Sequence, residues 1–329
     1  MTIPRIKTRQ RILALLADAQ FHSGTALGEE LGISRAAVNK VVQQLTADGL
    51  AIHCVTGRGY CLTEPLELLD ADQISQQLAD SGHNDIDLHI HERLESTSRF
   101  LIEQELDPAQ AAACLAEHQT AGRGRRGRQW LNTPYRNLML SVARHLSLRP
   151  AELSGLSLAI GVAIVEALRA VGYKDVGLKW PNDLLFEGRK LGGVLVDLQG
   201  ESEGPTRVVV GVGINLYLNE DDAGEIEQAW TDLRQLGPDR PQRNRLAAEV
   251  VARILTLFAE FEADGFAPYR DRWQLLNAHA GEPVALLIGD RRIEGVVEGV
   301  DESGALLLRS ADGVASYHAG EISLRPMTV

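Results

Sequence analysis

The spacing of apolar residues changes twice along the 329-residue chain, and these changes limit the folds that it can adopt. Residues 1–64 have helical spacing followed by one hairpin pattern, residues 65–275 mix strands with helices, and residues 276–329 carry short strand patterns. Because helices repeat every 3.6 residues and strands every two, no single layer type fits all three segments. We therefore predict an α+β protein with three domains, divided near residues 64 and 275.

The first segment has the order of a winged helix-turn-helix. Gly32 suits the left-handed end of one helix, and Ser34 is placed to cap the next. Two short helices joined by a turn containing glycine form the helix-turn-helix, and a hairpin after them would be the wing. We predict helices over 9–17, over 23–31 and from Ser34 onward, and strands over 52–55 and 60–62.

The outer face of the third helix favours DNA as its partner. Residues 1–63 carry seven Lys and Arg against four acidic residues, whereas the remainder of the chain has a net charge of -15. A helical bundle that binds protein or only caps the next domain is the alternative; the helix and wing order together with local positive charge favours DNA. The predicted contacts, which suit phosphates and base edges, are Ser34, Arg35, Ala36, Asn39, Lys40, Gln43 and, in the wing, Arg58.

Whole-chain composition excludes several other classes of protein. The net charge of -12 argues against a general nucleic-acid binder, and no apolar run reaches the roughly 20 residues of a membrane span. The N-terminus lacks a secretory signal, so a cytoplasmic protein without a membrane partner is expected. Three scattered cysteines provide no disulfide framework and no zinc site. His89 and His91 share one face of a strand, which we interpret as solvated; we expect no metal held by the protein alone.

The central and C-terminal segments predict sheets of different kinds. The turn around Glu187 and Gly188 is too short for a crossover, so neighbouring strands must be antiparallel and a doubly wound parallel sheet is excluded. From Pro283 onward, short evenly spaced strands predict a small barrel of about 45 residues. We predict central strands over 87–91, 111–117, 137–144, 176–180, 183–187, 191–199 and 207–214, and helices over 68–78, 97–105, 152–171 and 246–261.

The most unusual local sequence runs from Gln119 to Trp130 and holds four arginines spaced by three glycines. Residues 122–127 match the pattern G-x-G-x-x-G, but the dinucleotide fingerprint requires a helix directly afterwards, and Pro134 with Asn132 indicates a turn instead. Guanidinium groups on a flexible loop bind phosphate or carboxylate oxygens, and their mutual repulsion predicts mobility until an anion arrives. A solvated basic loop or a nucleic-acid patch remains the alternative.

Three further motifs place polar side chains at strand ends. The sequence Lys-Trp-Pro-Asn-Asp over 179–183 predicts a bulge or an edge because of its proline. Lys190 precedes small and apolar residues, so it is either an exposed strand-end charge or a buried ligand contact, and alone the exposed charge is favoured. Asn215 follows two glycines that allow close backbone approach. The hydroxyls of residues 96–98 are typical helix caps without further context.

Together these motifs resemble those of biotin–protein ligases. The resemblance rests on Gln-x-x-Gly-Arg-Gly-Arg-Arg-Gly-Arg-x-Trp, Lys-Trp-Pro-Asn-Asp, Arg-Lys-Leu-Gly-Gly-Val-Leu-Val and Gly-x-Gly-Ile-Asn, in this order, and covers nearly the whole chain. With its N-terminal winged helix, the chain is similar to the bifunctional bacterial form that also represses the biotin operon. This implies a central mixed-sheet α/β ligase domain and a C-terminal SH3-like barrel.

The resemblance also implies roles for individual residues. Lys190, Arg125 and Asp183 would be catalytic, with Asp183 orienting the acceptor amine or Lys179. Many relatives have Asn where this chain has Ser98. The hydrogen bond that this Asn would make to biotin is therefore not carried over from the resemblance. Biotin would be bound by Ser96, Thr97, Ser98, Gln119, Arg123, Gly124, Arg125 and Lys190, and ATP or the adenylate by Arg128, Trp130, Lys179, Asn182, Asn215 and Arg325.

The implied reaction has biotin attack ATP, with magnesium near Asn215, to form biotinyl-5'-AMP, which is both the intermediate and the corepressor. The implied partners are biotin carboxyl carrier protein of acetyl-CoA carboxylase, operator DNA and, when the adenylate is bound, a second copy of the chain. Two alternatives stay open: a lipoate or octanoate ligase of the same fold, and a non-catalytic winged-helix sensor of a carboxylate metabolite. Complete Lys190, Arg125 and Asn215 positions favour the enzyme over the sensor.

Overall fold

The computed structural model describes residues 5–200, 204–218, 228–237, 241–318 and 322–326. The chain forms two compact units, one comprising Met1–Leu69 with Thr133–Tyr135, and the other Asp70–Asn132 with Arg136–Val329. The division into three domains near residues 64 and 275 remains a prediction. Within the described residues, no helix is both long enough and apolar enough to cross a membrane.

The first unit is built as its capping residues predict. Ser23 and Ser34 each accept a hydrogen bond from a backbone N–H in the first turn of the following helix, and Gly32 ends the earlier helix at φ 66°. Val38, Val42 and Leu45 are fully buried, so one stripe of the third helix forms the core. The elements are α1 (Arg5–Leu16), α2 (Gly24–Leu31), α3 (Arg35–Ala47), β1 (Ile52–Val55) and β2 (Gly59–Leu62).

The second unit contains a seven-stranded mixed sheet in the order β3-β4-β5-β9-β8-β7-β6. Among its described strands only the pair β3 and β4 is parallel, which confirms that the sheet is not doubly wound. Its strands are β3 (Ile86–Leu94), β4 (Ala111–Gln119), β5 (Asn137–Leu146), β6 (Gly177–Lys179), β7 (Asp183–Phe186), β8 (Arg189–Gln199) and β9 (Thr206–Asn215).

Among the described residues, five helices accompany this sheet, and two of them begin later than the apolar spacing predicts. Asp70 caps the first of them, so it spans residues 71–80 and not 68–78. The helix expected from residue 152 begins at Leu156, because Pro150–Leu153 forms a separate 3-10 turn. The helices are α4 (Ala71–Asp80), α5 (Thr97–Glu103), α6 (Leu156–Ala170), α7 (Arg243–Asp264) and α8 (Ala267–Leu276).

The C-terminal segment forms a separate antiparallel sheet in the order β13-β12-β11-β10-β14. Its last strand pairs with its first, which brings Arg325 opposite Ala285. The Trp180 indole N–H donates to the Gly304 carbonyl at 3.2 Å, which ties this sheet to the turn between β6 and β7. The strands are β10 (Pro283–Ile288), β11 (Arg291–Val300), β12 (Leu306–Ser310), β13 (Gly313–Tyr317) and β14 (Ile322–Pro326).

Candidate active site and DNA-facing surface

A cavity of about 710 Å³ lies over strands β5, β8 and β9 of the mixed sheet. Its lining comes from sequence positions more than 200 residues apart, from the start of α5 to the last described strand. Every residue predicted to contact biotin or ATP lines this one cavity: Ser96, Thr97, Ser98, Gln119, Arg123, Gly124, Arg125, Arg128, Trp130, Lys179, Asn182, Asp183, Lys190, Asn215 and Arg325.

One part of the cavity wall is a buried cluster of hydroxyl and amide groups. The Thr97 backbone N–H and hydroxyl both donate to Gln119 Oε1, at 2.7 and 3.0 Å. Ser141 Oγ lies 2.8 Å from Thr97 Oγ1 and 3.0 Å from Ser98 Oγ. Ser96 caps α5, as its hydroxyl pattern suggested. Because these buried groups hold one another, they present fixed donors and acceptors to a polar, uncharged ligand group.

Two glycines of β9 leave room for this arrangement. Gly211, Gly213 and Asn215 alternate along the strand and therefore share the face beneath the cavity. A Cβ at Gly211 would lie 2.6 Å from Ser98 Oγ, and one at Gly213 would lie 2.7 Å from the Trp130 ring. Both glycines are therefore required by close approach, as the sequence predicted.

The arginine-rich loop forms a short, twisted hairpin across the cavity. Trp130 N–H donates to the Gly122 carbonyl at 2.9 Å, and Gly124 N–H to the Arg128 carbonyl at 2.7 Å. A single 3-10 turn over Arg125–Gly127 lies at its tip, so no helix follows the glycines and the dinucleotide fingerprint is excluded. Arg123 donates two hydrogen bonds of 3.2 Å to Asp197 on β8.

Lys190 reaches the cavity because β8 contains a bulge. Leu184 pairs with Gly192 whereas Leu185 pairs with Lys190, so Leu191 is the extra residue. Gly193 lines the cavity, and side chains alternate between the two faces of a regular strand, so Leu191 would face the cavity if β8 were regular. The bulge directs Lys190 there instead. The Lys190 ammonium lies 2.7 Å from the Asp183 carboxylate and 5.5 Å from the centre of the Trp130 ring. The bulge predicted from Pro181 therefore exists on the neighbouring strand, while Pro181 itself lies in a turn.

The cavity gathers cations that are partly removed from water. Burial is the main cause that lowers the pKa of Lys179, with Asp183 opposing it and Arg325, Lys190 and Arg128 adding to it. Burial also lowers the pKa of Arg125, whose guanidinium lies 3.4 Å from Asn182 Oδ1. A guanidinium remains charged at neutral pH despite such a shift. This concentration of positive charge in a shielded cavity is suited to an anionic ligand or transition state.

Asp183 and Asn215 are each engaged with protein groups. Asp183 forms its ion pair with Lys190, and Lys179 lies opposite it across the β6–β7 turn. Asn215 Oδ1 accepts from Asn137 at 3.1 Å, and its Nδ2 donates to the Thr231 carbonyl at 3.1 Å. Within the described part of the chain, no cluster of three His, Cys, Asp or Glu residues could hold a metal ion. A divalent ion here would need oxygens from a ligand such as a polyphosphate.

The predicted DNA-facing residues all lie exposed on the first unit. They belong to α3 and its cap, and Arg58 belongs to the wing turn. Some of them have partners within the unit: Ser34 caps α3, Asn39 Oδ1 accepts from the Tyr60 hydroxyl at 3.1 Å, and the Arg58 guanidinium lies 3.9 Å from the centre of the Phe21 ring. Asn39 therefore also connects the third helix to the wing.

Sequence analysis missed several residues that build the cavity. Ser141 bridges two predicted ligand residues, and its only signal is a small hydroxyl inside the apolar run over residues 138–143. Asn132 closes the loop base by donating to the Gln119 carbonyl at 2.8 Å. Asp197 and Trp230 also contribute, the first as the partner of Arg123 and the second as lining. Their contributions depend on pairing between strands distant in the sequence.

Comparison with known proteins assigns the family. Residues 8–61 match the model of an HTH domain, residues 90–215 that of the biotin/lipoate A/B protein ligase family, and residues 279–325 that of the biotin protein ligase C-terminal domain. The biotin protein ligase of Aquifex aeolicus, solved in complex with biotin and ATP, is similar in structure, with a TM-score of 0.63 and 30% identity; the match covers 73% of this chain and 99% of that one.

Two bifunctional relatives are similar to this chain over nearly their whole length. The bifunctional ligase/repressor BirA of Salmonella typhimurium is 42% identical over 95% of this chain and 96% of its own. BirA of Escherichia coli is 42% identical over 96% of both chains. The HTH domain, the ligase domain with its cavity and the C-terminal sheet thus occur together in one sequence, and this chain belongs to the biotin protein ligase family, in its bifunctional ligase/repressor form.

Proposed function

We propose that this protein joins biotin to a lysine of biotin carboxyl carrier protein at the expense of ATP, and that it represses transcription when it holds the adenylate. The observation that carries the proposal is the cavity itself, in which a fixed hydroxyl and amide wall faces a group of shielded cations. Biotin has a neutral ureido ring at one end and a carboxylate at the other. The two ends of biotin match the two walls.

We assign the ureido end to the hydroxyl wall. A cyclic urea offers one acceptor and two donors, and the cluster of Thr97, Gln119 and Ser98 supplies complementary groups. Ser98 is shorter than the Asn of many relatives and bonds to Ser141, so here Ser141 shares this contact. The remaining biotin contacts in the proposal are Ser96, Arg123, Gly124, Arg125 and Lys190.

The first chemical step joins two anions. A carboxylate oxygen of biotin attacks the α-phosphorus of ATP, the bond to the β-phosphate oxygen breaks, and pyrophosphate leaves. Arg125 and Lys190 hold the carboxylate beside the α-phosphate and neutralise the charge that builds up on its oxygens. Lys190 can leave its contact with Asp183 for the phosphate, because both contacts are ion pairs of similar kind.

The nucleotide occupies the other side of the cavity in this proposal. Trp130 provides an aromatic face for adenine, and Arg128, Lys179, Asn182 and Arg325 face the ribose and phosphates. Magnesium would arrive with ATP and offset phosphate charge, with Asn215 Oδ1 as the protein oxygen near it. The Asp183 carboxylate is already paired with Lys190 and is therefore not a free ligand for magnesium. This agrees with a magnesium ion held mainly by phosphate oxygens.

The second step transfers the acyl group to the acceptor. The lysine amine of the carrier protein attacks the acyl carbon of the adenylate, AMP leaves, and the amine loses a proton. Once phosphate has drawn Lys190 away, the Asp183 carboxylate is free to accept a hydrogen bond from that amine and to orient it. The carrier protein of acetyl-CoA carboxylase is the substrate that we assign.

We assign the first unit to operator DNA. Its exposed α3 residues carry the phosphate and base contacts, and the positive charge of residues 1–63 supports such contacts in a chain that is otherwise acidic. A second copy of the chain, joined when the adenylate is bound, would present two such units to a palindromic site. We propose the cytoplasm as its compartment, because ATP and operator DNA are both present there.

Incubation with ATP, magnesium, a carrier domain and labelled biotin or lipoate tests the ligase. We expect label on the carrier and biotin-dependent ATP–pyrophosphate exchange with biotin only. Transfer of lipoate instead would assign a different substrate within the same family, and tight binding without exchange would make the protein a sensor. Heat-denatured protein and a carrier domain without its lysine are the controls.

A further inference from the structure

Asn137 begins β5 directly opposite Asn215, the last residue of β9. Both side chains are buried, with 1% and 4% of their surfaces exposed. Asn215 lines the cavity, whereas Asn137 is not among the lining residues that the structure describes. Asn137 therefore lies behind a proposed ligand residue without itself facing the ligand.

The Thr231 carbonyl and the Asn137 amide together set the orientation of the Asn215 amide. Asn137 Nδ2 donates to Asn215 Oδ1 at 3.1 Å, and Asn215 Nδ2 donates to the Thr231 carbonyl at 3.1 Å. Rotating the Asn215 amide by half a turn would place its Nδ2 against the Asn137 Nδ2 donor and its Oδ1 against the Thr231 carbonyl oxygen, which is also an acceptor. Asn137 thus keeps an oxygen on a fixed side of Asn215.

The same chain of bonds continues to Lys190. Thr231, which accepts from Asn215, donates its own N–H to the Lys190 carbonyl at 2.9 Å. The Lys190 N–H donates to the Ala229 carbonyl at 2.9 Å, so residues 229–231 run along the start of β8. The position of the Lys190 backbone is therefore linked to the Asn215 amide through a single intervening residue.

A buried ion pair fixes Asn137 from the other side. Arg243 has a fully buried side chain that donates to Glu117 at 2.7 Å and to the Asn137 carbonyl at 3.2 Å. Two buried charges in such a contact tolerate little displacement, because separating them leaves each one uncompensated. The Asn137 backbone is thereby held by α7 and β4 together.

We infer that Asn137 is a positioning residue for the ligase reaction, which orients Asn215 and, through Thr231, holds Lys190 in place for the transfer to the α-phosphate. The inference rests on the proposed function, since it assigns no ligand of its own. It predicts that Asn137 affects the rate of adenylate formation more than the binding of biotin, because biotin's ureido wall lies at Ser98 and Gln119, away from this chain of bonds.

The test compares two variants with a matched control. Asn137→Asp keeps the shape of the side chain but replaces its Nδ2 donor by a carboxylate oxygen, which repels Asn215 Oδ1. Asn137→Ala removes the donor altogether. Thr206→Val is the control, because Thr206 is also buried, lies at the far end of the same strand pair, and donates to the Leu148 carbonyl at 2.7 Å. Steady-state ATP–pyrophosphate exchange and thermal unfolding are measured for all four proteins.

We expect kcat of exchange to fall by about 10- to 100-fold in both Asn137 variants, as is typical when a residue that hydrogen-bonds to a ligand-binding residue is replaced. KM for biotin should stay within about twofold, and the control should keep its kcat. A folded Asn137 variant with wild-type kcat, a loss confined to KM for biotin, or an Asn137→Asp protein that does not fold would each overturn the inference. Absence of exchange in the wild-type protein would instead reject the proposed function.

Discussion

At the scale of single residues, the cavity depends on ionic contacts that a ligand can exchange. Lys190 bonds Asp183 at 2.7 Å, and Arg123 bonds Asp197 twice at 3.2 Å. These two cations each have an acidic partner within the protein, which limits the repulsion among the gathered charges. An incoming carboxylate or phosphate can replace these partners, because it makes contacts of the same type.

Replacing Lys190 tests the proposed chemistry. Lys190→Ala removes the cation that neutralises the transferring phosphate and leaves Asp183 as an uncompensated anion nearby. We expect biotin-dependent ATP–pyrophosphate exchange to fall by about 10²- to 10³-fold, equivalent to roughly 3–4 kcal/mol of transition-state stabilisation. The neighbouring Arg189→Ala is the control, since Arg189 contacts Glu187 and Gln235 outside the cavity. Near-normal exchange by Lys190→Ala would remove it from the mechanism.

The pKa of Lys179 predicts how the rate depends on pH. Burial lowers this pKa, so Lys179 loses its proton at a lower pH than an exposed lysine, and a step that needs the cation slows as pH rises through that value. Lys179→Arg should keep its charge and extend activity to higher pH. Exchange measured between about pH 7 and 10 tests this difference.

The control for this prediction is Lys174→Arg, because Lys174 is exposed on the turn before β6. This exchange makes the same change of group outside the cavity, so the alkaline limb should not move. Identical alkaline limbs for the wild type and Lys179→Arg would show that Lys179 does not limit the rate.

At the scale of elements, the site is assembled where loops and strand ends meet over the sheet. Gly211, Gly213 and Asn215 alternate on β9, and the bulge at Leu191 turns Lys190 toward them. The sheet fixes Lys190 and Asn215, while the hairpin over residues 122–130 lines the same cavity from a loop. Ligand-dependent change is therefore expected in the hairpin and not in the sheet.

Limited trypsin digestion tests the hairpin. Arg123, Arg126 and Arg128 are exposed, and we expect cleavage there in the free protein. Biotin with ATP should slow the cleavage at least about tenfold, because the adenylate offers charge-assisted bonds to the guanidinium groups. Asp197→Asn should speed cleavage of the free protein by releasing Arg123. Equal rates with and without ligands would contradict ligand-dependent ordering of the hairpin.

At the scale of the whole molecule, two compact units carry opposite charge balances. Residues 1–63, the greater part of the first unit, have a net charge of +3, whereas the remainder of the chain has -15, so only this segment is suited to DNA in bulk charge. The arginines of the hairpin are a local exception within the acidic part and serve a small anion in the proposed function. In the proposed function, ligase and repressor activities therefore use separate positive regions of one chain.

Sedimentation and operator binding test how these regions are coupled. We expect the protein to dimerise and to shift operator DNA when biotin and ATP are present together. Lys40→Ala on α3 should weaken operator binding and reduce its salt slope by about one, while exchange and dimer formation stay unchanged. A protein that stays monomeric at every ligand concentration and shifts no operator would reject repression and leave the ligase proposal intact.

Much of this organisation could be predicted from local sequence. Ser34 and Gly32 specify helix ends because capping depends on neighbouring backbone, and the turn at Gly188 forces antiparallel pairing because it is short. The order of motifs indicated the family and the residues of the cavity. Pro181 did not indicate that the bulge lies on β8. The starts of α4 and α6 were also predicted a few residues too early, because the Asp70 cap and the 3-10 turn over Pro150–Leu153 set where these helices begin.

The sequence by itself determined the three segments of different apolar spacing, the winged helix-turn-helix and the antiparallel pairing around Gly188 and, through the family resemblance, the residues expected to bind ligands. Only the tertiary structure decided that Lys190 faces the cavity, that Ser141 joins the hydroxyl wall and that Asn137 supports Asn215. The physical reason is the sequence separation between the residues that interact. Caps and turns depend on residues a few positions apart, whereas the buried hydrogen bonds of Ser141 with Ser98 and of Asn137 with Asn215 join residues that are 43 and 78 positions apart. The facing of Lys190 depends on the register of β8 against β7, which the spacing of apolar residues does not specify.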